Sequence, residues 1–447
     1  MSNEKLLYRI ANREATVGVV GLGYVGLPLS LSFVESGFQV RGFDIDDYRV
    51  RELEECASYV DDVSDERLSA ALETGFQPST DEVIINDCDV YVIAVPTGMN
   101  VGTPDMSAVK AAARTVTERS GPRETLVVVS STVYPGATKE VVKPIVDSDR
   151  DDPTHFAMVP ERLNPGGEYG FSDIPLVVGA DSDESGAAAT ELFETVVAST
   201  YPVDSTETAE LAKTLENTYR MVNIALVNEL VTLAEGLDAD VWDAIDAAAT
   251  KPFGFQPFRP GPGVGGHCIP IDPQFLAWRA EELGTKLSLL NGAQRVNERM
   301  PALVADRVET TLRNRDIDPD EARILALGAA YKPDVGDTRN SPALQVVEAL
   351  PEDTEVIVAD PHTEATEVAR ELIRTPTASE IQSADIVVLL VDHDEFNLNA
   401  IGEHASLVFD TRDAMPNDTD AEVITLGERS REHSAEPLTD LPKQGSK

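Results

Sequence analysis

The residues that speak most directly of chemistry lie in Pro262-Gly263-Val264-Gly265-Gly266-His267-Cys268-Ile269-Pro270-Ile271-Asp272, which holds one of three cysteines in the chain. Glycine permits positive φ and close approach to the main chain, so a small ligand has room to lie against this loop. A cysteine there, with a carboxylate four residues on, has the setting of a placed nucleophile. The competing reading is a small buried hydrophobe, which is what many free cysteines are. His267 adjoins Cys268, but adjacent side chains on an extended loop point apart, so the order of the residues alone makes no Cys–His dyad. A second pair is Lys213 and Asn217, which stand i and i+4 in a helical stretch and therefore share a face. They could stabilise a developing oxyanion. Equally, they could be a solvated lysine beside a polar neighbour. A third candidate is Gly21-Leu22-Gly23-Tyr24-Val25-Gly26, with Asp44 beyond it.

The elements around that third motif decide its meaning. TVGVVG at 16–21 reads as a strand, Pro28 to Ser36 as a helix, and FQVRGFD as a second strand ending in Asp44. This is a βαβ unit with G-x-G-x-x-G at its first turn, the arrangement that binds a dinucleotide. The glycines let a pyrophosphate approach the backbone, and the helix N-terminus offers free N–H groups. Asp44 can accept both ribose hydroxyls and would repel a 2′-phosphate, which favours NAD over NADP. Further buried-strand runs are DVYVIAVP (89–96), TLVVVSST (125–132), HFAMVPE (155–161) and PLVVGA (175–180). Ligands bind at the carboxyl ends of such strands, so Pro96, Thr97, Ser131, Thr132 and Glu161 are expected to face one crevice.

From Thr206 to Gly236 the pattern becomes one long helical run without proline. Leu211, Leu215, Val222, Ala225 and Leu226 spread apolar surface over several of its faces. After Met300-Pro301 a third segment is expected, with strands in ARILALG, TEVIVADP, ADIVVLLVDH and ASLVFDT and a loop YKPDVGDTRNSP at 331–342. The expected fold class is α/β: two Rossmann-like, doubly wound domains joined by a long-helix central α domain. The expected division is 1–205 for dinucleotide binding, 206–305 for the helical middle with the cysteine loop, 306–427 for the second Rossmann-like domain, and a disordered tail at 428–447.

Composition excludes several classes. The chain has 447 residues, 42% of them apolar, and a net charge of −43. No apolar run reaches the ~18 residues needed to span a bilayer. The first residues carry no signal-peptide hydrophobic region, so a cytoplasmic protein is expected. Acid is spread along the whole chain, and only 10 of the 36 basic residues are lysine. Such a surface repels nucleic acid and anionic membrane. It also disfavours the compact state unless salt screens it, which suggests a halophilic protein. Cys56, Cys88 and Cys268 are far apart, so neither a disulfide framework nor a zinc site is expected.

Taken in order, these pieces resemble the UDP-glucose/GDP-mannose dehydrogenase superfamily over residues 16–425. The resemblance is carried by GLGYVGLP (21–28), SSTVYPGAT (130–138), PERLNPG (160–166), AKTLENTYRMVNIALVNE (212–229), GPGVGGHCIPIDP (261–273) and YKPDVGDTRNSP (331–342). It implies an enzyme that oxidises a sugar's primary alcohol to a carboxylate with two NAD⁺, the aldehyde being held as a thiohemiacetal and then a thioester on Cys268. A thiolate at neutral pH needs a nearby cation or N–H groups. The resemblance assigns Lys213 and Asn217 to oxyanion stabilisation, Asp272 and Thr132 to a catalytic water, and Glu161 to acid–base work. The base of each half-reaction stays open. For the cofactor it implies Gly21, Gly23, Tyr24, Val25, Gly26, Asp44, Arg49, Pro96, Thr97, Thr132 and Arg339. For the sugar nucleotide it implies Glu161, Arg162, Leu163, Asn164, Lys213, Asn217, Arg259, Gly265 and Lys332. For Arg339, an ordinary ion pair with Asp334 or Asp337 is the competing reading. No metal is implied.

The UDP-glucose branch of the family carries a PEFL-type motif and G-S-C-L-P-K-D. Here the segments read PERLNPG and G-H-C-I-P-I-D, with Ile271 in place of the lysine. These variants resemble the branch that acts on UDP-N-acetylhexosamines, with UDP-glucose as the alternative substrate and a non-catalytic nucleotide-sugar binder as the alternative from another class. The resemblance further implies a homodimer built on the long helix, and a uronic acid product of the kind that feeds surface polysaccharides or glycoprotein glycans.

Overall fold

The computed structural model describes residues 6–60, 63–148, 152–162 and 170–428. The expected tail at 428–447 falls outside the described residues except for Glu428, as do Leu163 and Asn164. The chain forms two compact units: residues 1–218 with 271–287, and residues 219–270 with 288–447.

The first unit is built on one eight-stranded sheet. Its strands are β1 (Thr16–Val20), β2 (Gln39–Phe43), β3 (Phe76–Ser79), β4 (Val90–Ile93), β7 (Thr125–Val129), β8 (Thr154–Met158), β9 (Leu176–Ala180) and β10 (Thr200–Val203). A small antiparallel hairpin, β5 (Gly98–Asn100) with β6 (Thr103–Asp105), lies between β4 and β7 in sequence. The spatial order is β10-β9-β8-β7-β4-β1-β2-β3. From β3 to β8 every pair is parallel, the doubly wound order with its crossover beside β1. β9 then runs antiparallel to β8, and β10 parallel to β9. Strands β1, β4, β7 and β9 are apolar nearly throughout because helices cover both faces. Leu27, Leu29, Leu31 and Phe33 of the helix Gly26–Glu35 seal one of those faces.

The second unit has a six-stranded, wholly parallel sheet in the order β13-β12-β11-β14-β15-β16. These are β11 (Arg323–Leu327), β12 (Glu355–Ala359), β13 (Glu371–Ile373), β14 (Ile386–Leu389), β15 (Leu407–Asp410) and β16 (Glu422–Thr425). The chain expected to change segment after Pro301 instead continues as one helix, Ser288–Arg313, with Pro301 inside it. Proline lacks the N–H that would reach the carbonyl four residues back, so the Asn297 carbonyl is freed without ending the helix. Gly263 fills the space beside it: a Cβ there would lie 3.2 Å from the Asn297 oxygen.

The helix Thr206–Leu237 supplies residues to both units, with the division after Thr218. Ala225 is buried, but Leu211, Leu215, Tyr219, Leu226, Leu230, Leu233 and Leu237 are exposed. No described helix is long and apolar enough to cross a membrane.

Candidate active site

The dinucleotide turn is held by contacts that only glycine permits. Gly21 has φ +93°, and a Cβ on it would meet the Ala94 carbonyl at 2.4 Å. A Cβ on Gly26 would lie 1.8 Å from the Gly21 carbonyl. Gly23 is different: its nearest neighbour would be Arg49 Nη1 at 3.7 Å, so the backbone there is open to a ligand. Asp44 ends the second strand nearly buried, and its carboxylate accepts the Leu22 N–H at 2.7 Å and the Asp46 N–H at 2.9 Å. Arg49 lies 3.6 Å from Asp44 and over the Tyr59 ring. Tyr24 and Pro96 are exposed. The ends of β4 and β7 are stitched together: Thr97 Oγ1 donates to the Thr132 carbonyl at 2.6 Å, and Ser131 Oγ accepts the Val95 N–H at 2.9 Å. A glycine turn, an open Gly23, and a carboxylate at the end of β2 fit the pyrophosphate and ribose of NAD.

The same unit gathers four of the expected catalytic side chains. Lys213 and Asn217 lie one turn apart in the helix Thr206–Leu237, and both are buried. That removes the solvated-lysine reading. Lys213 Nζ is 3.7 Å from Glu161 Oε2, and Asn217 Nδ2 donates to Asp272 Oδ2 at 2.5 Å. Asp272 opens the helix Asp272–Glu282 and is 2% exposed. Burial pushes its carboxyl up to about 6, against the pull of Lys213 and the Asn217 hydrogen bond. Burial likewise raises Glu161, with Lys213 opposing and Asp272 adding to the rise. Glu161 Oε1 is buried with no hydrogen-bond partner among the described residues. Two carboxylates thus share one lysine, and one of their oxygens is left for a water or a substrate hydroxyl. Arg162 forms an ion pair with Glu216 at 2.7 Å.

Sequence reasoning missed the support beneath this set. Glu210, wholly buried, accepts the N–H groups of Gly136 and, at 2.8 Å, of Thr138. It ties the helix to the 130–138 loop that carries Thr132. Burial pushes it up to about 7 despite those donors. In sequence Glu210 resembles any acid on a solvated helix face.

Cys268 belongs to the second unit and is exposed. The loop leading to it is fixed at every glycine. Gly261 N–H donates to Asn228 Oδ1 at 3.0 Å, and Asn228 Nδ2 donates to Asn297 Oδ1 at 3.0 Å; both asparagines are buried. A Cβ on Gly265 would meet Pro342 at 2.6 Å, Tyr331 at 2.7 Å and the Asn340 carbonyl at 2.9 Å. A side chain at Gly265 would therefore collide with the 331–342 loop of the protein itself. Gly266, at φ +81°, packs against the Tyr331 ring. Its N–H donates to the Arg339 carbonyl at 2.9 Å, and its carbonyl accepts Asn340 Nδ2 at 3.0 Å.

Several basic residues of this unit are engaged. Arg339 pairs with Asp337 through two nitrogens. Burial lifts the Asp337 carboxyl, but the Arg339 hydrogen bond and charge, with a smaller pull from His267, bring it below its ordinary value. Arg259 pairs with Asp246 and lies over Trp242. Lys332 Nζ sits 5.6 Å from the Tyr331 ring centre. Arg412, not anticipated, donates from Nε to the Leu390 carbonyl at 2.7 Å, beside Gly261.

Three family models match the chain in succession: the NAD binding domain of the UDP-glucose/GDP-mannose dehydrogenase family at residues 15–197, its central domain at 207–299, and its UDP binding domain at 325–417. The chain is 35% identical over 399 residues to a UDP-N-acetyl-D-mannosamine dehydrogenase of Pyrococcus horikoshii, covering 87% of this chain and 92% of that one. It is 33% identical to a UDP-N-acetyl-D-glucosamine 6-dehydrogenase of Pseudomonas aeruginosa, covering 91% and 98%. A solved structure of a UDP-D-ManNAc dehydrogenase from Pyrococcus horikoshii superposes with a TM-score of 0.83 at 31% identity, covering 92% of this chain and 99% of that one. With its glycine turn, its buried Lys213–Glu161–Asp272 set and these matches along its length, the chain belongs to the UDP-glucose/GDP-mannose dehydrogenase family, an NAD-dependent oxidoreductase family acting on nucleotide sugars.

Proposed function

We propose that this enzyme oxidises the primary alcohol of a UDP-N-acetylhexosamine to the uronic acid, capturing the aldehyde on Cys268. The observation that carries the reading is the buried set of Lys213, Asn217, Glu161 and Asp272, with one Glu161 oxygen unpartnered among the described residues. NAD, when bound, supplies the hydride acceptor. Gly21, Gly23, Tyr24, Val25, Gly26, Asp44, Arg49, Pro96, Thr97, Thr132 and Arg339 are the proposed cofactor contacts. Arg162, Arg259, Gly265 and Lys332 join the buried set as the proposed sugar-nucleotide contacts, with Leu163 and Asn164.

The protein's own residues have these roles. Lys213 and Asn217 stabilise negative charge on the substrate oxygen. The Cys268 thiolate adds to the aldehyde carbon, and the oxygen takes a proton to give the thiohemiacetal. Oxidation leaves the thioester. Water held by Asp272 and Thr132 then attacks it, with Glu161 moving the proton, so that the carboxylate departs and the thiol is restored. The acetamido preference is supported by the names of the relatives, by Ile271 in the cysteine motif and by the LNPG segment.

The same reading divides the chain at 1–205, 206–305 and 306–427 and gives a cytoplasmic homodimer formed along the exposed leucines of the long helix. With a net charge of −43 the fold should be stabilised by salt, and a melting temperature flat across a KCl series would sink the halophilic reading. The substrate is tested by NADH formation with UDP-N-acetylglucosamine, UDP-N-acetylmannosamine, UDP-N-acetylgalactosamine and UDP-glucose. A higher kcat/KM for one of the acetamido sugars is expected. Preference for UDP-glucose overturns the choice of sugar, and no turnover with any of them overturns the enzyme.

A further inference from the structure

Asp360 follows β12, is wholly buried, and accepts five hydrogen bonds. Oδ2 takes the N–H groups of Ala329 at 2.7 Å and Ala330 at 3.0 Å, and the Nε2 of His393 at 3.0 Å. Oδ1 takes the N–H groups of His362 at 2.9 Å and Thr363 at 2.8 Å. Burial alone would raise this carboxyl, but the His393 hydrogen bond and the backbone donors hold it well below the carboxylate range. An ionised carboxylate only accepts, so His393 Nε2 carries the proton. The other ring nitrogen is then an acceptor, and it takes the Asp334 N–H at 3.0 Å. Asp334 in turn accepts the Asp394 N–H at 2.9 Å. Asp334, His362, His393 and Glu395 bring ligand atoms within 4.8 Å of one another. Both nitrogens of His393 are committed, however, so the group is a hydrogen-bonded hub and not a metal centre.

The hub joins three loops, those following β11, β12 and β14. The first of them goes on to hold the cysteine loop through Gly266, by way of the Arg339 carbonyl and the Asn340 side chain. Its Tyr331 and Pro342 close on Gly265. Three residues after Gly265 is Cys268. A break at the hub therefore travels through one short loop to the backbone that carries the thiol.

We propose that the Asp360–His393 pair is the positioning device of the nucleophile, holding the 328–341 loop so that Cys268 stands where the aldehyde is captured. The proposal rests on the reading of Cys268 as nucleophile. It makes His393 a positioning residue, and it predicts a defect in the second oxidation specifically, since a displaced thiol lets the aldehyde escape.

The test compares His393→Leu, His393→Gln and Asn340→Gly with Cys268→Ala. NADH formed per UDP-sugar consumed, aldehyde trapped by hydroxylamine, and the rate of iodoacetamide labelling at Cys268 are measured. Asn340 has φ +52°, so glycine keeps the backbone while losing the bond to Gly266. His393→Leu and Asn340→Gly are expected to shift the ratio from two NADH towards one, to release aldehyde, and to change the labelling rate. A loss in kcat of about tenfold to a hundredfold is expected for displacement of this kind. His393→Gln, which can still donate to Asp360 and accept from Asp334, should recover most of the loss. If His393→Leu does not fold, Asn340→Gly decides alone. Two NADH per sugar and wild-type labelling in the folded variants overturn the proposal. If Cys268→Ala itself yields two NADH, the nucleophile reading fails, and the labelling rate alone then judges the positioning.

Discussion

Replacing Lys213 by methionine removes the one cation of the buried set while keeping nearly its volume. Lys213 Nζ lies 3.7 Å from Glu161 Oε2, with the two side chains 5% and 12% exposed. At an effective dielectric of about 20, unit charges at that separation interact by about 4 kcal/mol. Through 1.36 kcal/mol per pH unit, losing that charge is worth up to about three units in the pH at which the set as a whole ionises, in the direction burial already pushes Glu161. Asp272, already pushed up to about 6 by burial, loses the same charge and moves in the same direction. The sign follows: a raised carboxyl stays protonated to higher pH, so a step that needs it ionised is lost at neutrality and regained in alkali. The acid limb of kcat/KM should stand near pH 6 in the wild type and move up by about two to three units in the variant. At pH 7 the ionised fraction alone then falls about tenfold to a hundredfold. Stability carries the same signature. The folded state keeps protons that the unfolded chain releases above pH ~4, so stability falls as pH rises towards the folded value, and in the variant it goes on falling to higher pH. The assay is a pH–rate profile of both proteins with a melting curve at each pH. A variant limb within about half a pH unit of the wild type, or no recovery in alkali, refutes the argument.

Other predictions follow from the supports of the site. Gly265→Ala forces a Cβ to within 2.6 Å of Pro342 and 2.7 Å of Tyr331, an overpacking that costs about 1–3 kcal/mol, and should lower both turnover and the unfolding midpoint in urea. Glu210→Ala leaves the N–H groups of Gly136 and Thr138 buried and unpaired, which should cost about 2–5 kcal/mol by denaturant titration. Leu230→Glu, in the exposed stripe of the long helix, should turn the proposed dimer into a monomer in light scattering without changing the melting of the monomer fold. A wild-type mass near 48.2 kDa would remove the dimer at once.

What could be read from the sequence, and what could not, follows from the range over which each signal acts. The glycine turn was legible because its cause is local: a strand, three glycines and a helix N-terminus occur within a few residues of one another. The helical spacing of Lys213 and Asn217 was legible for the same reason. The reversal of β9 was not, since a buried strand reads as the same apolar run in either direction. Pro301 misled because proline often ends a helix, and only the neighbouring Gly263 shows how the freed carbonyl is accommodated. The glycines before Cys268 were read as room for a ligand. What fills that room comes from Tyr331 and Pro342, far along the chain. Asp360 and His393 are 33 residues apart, and Asn228 and Asn297 are 69, so neither pair leaves a mark in any local pattern.

The proton inventory of the buried set gives these observations a common direction. One lysine faces two carboxylates, so the set would carry a net negative charge if both were ionised. Burial penalises that charge, and the penalty appears as a raised value at both Glu161 and Asp272. The Asp272 charge adds to the rise at Glu161, so the protonation of one bears on the other. The proposed acid–base work in thioester hydrolysis asks for a carboxyl that changes its proton readily, because the group that takes a proton from water must give it up again before the next turn. Asn217 adds a constraint of its own: by donating to Asp272 Oδ2 it favours the charged form there and leaves Glu161, with its unpartnered oxygen, as the group better placed to hold the proton. Asn217→Asp would replace that donor with a further buried carboxylate, and the acid limb should move up as it does when Lys213 is lost. The two substitutions act through different atoms on the same proton, so their effects on the limb should fall short of adding.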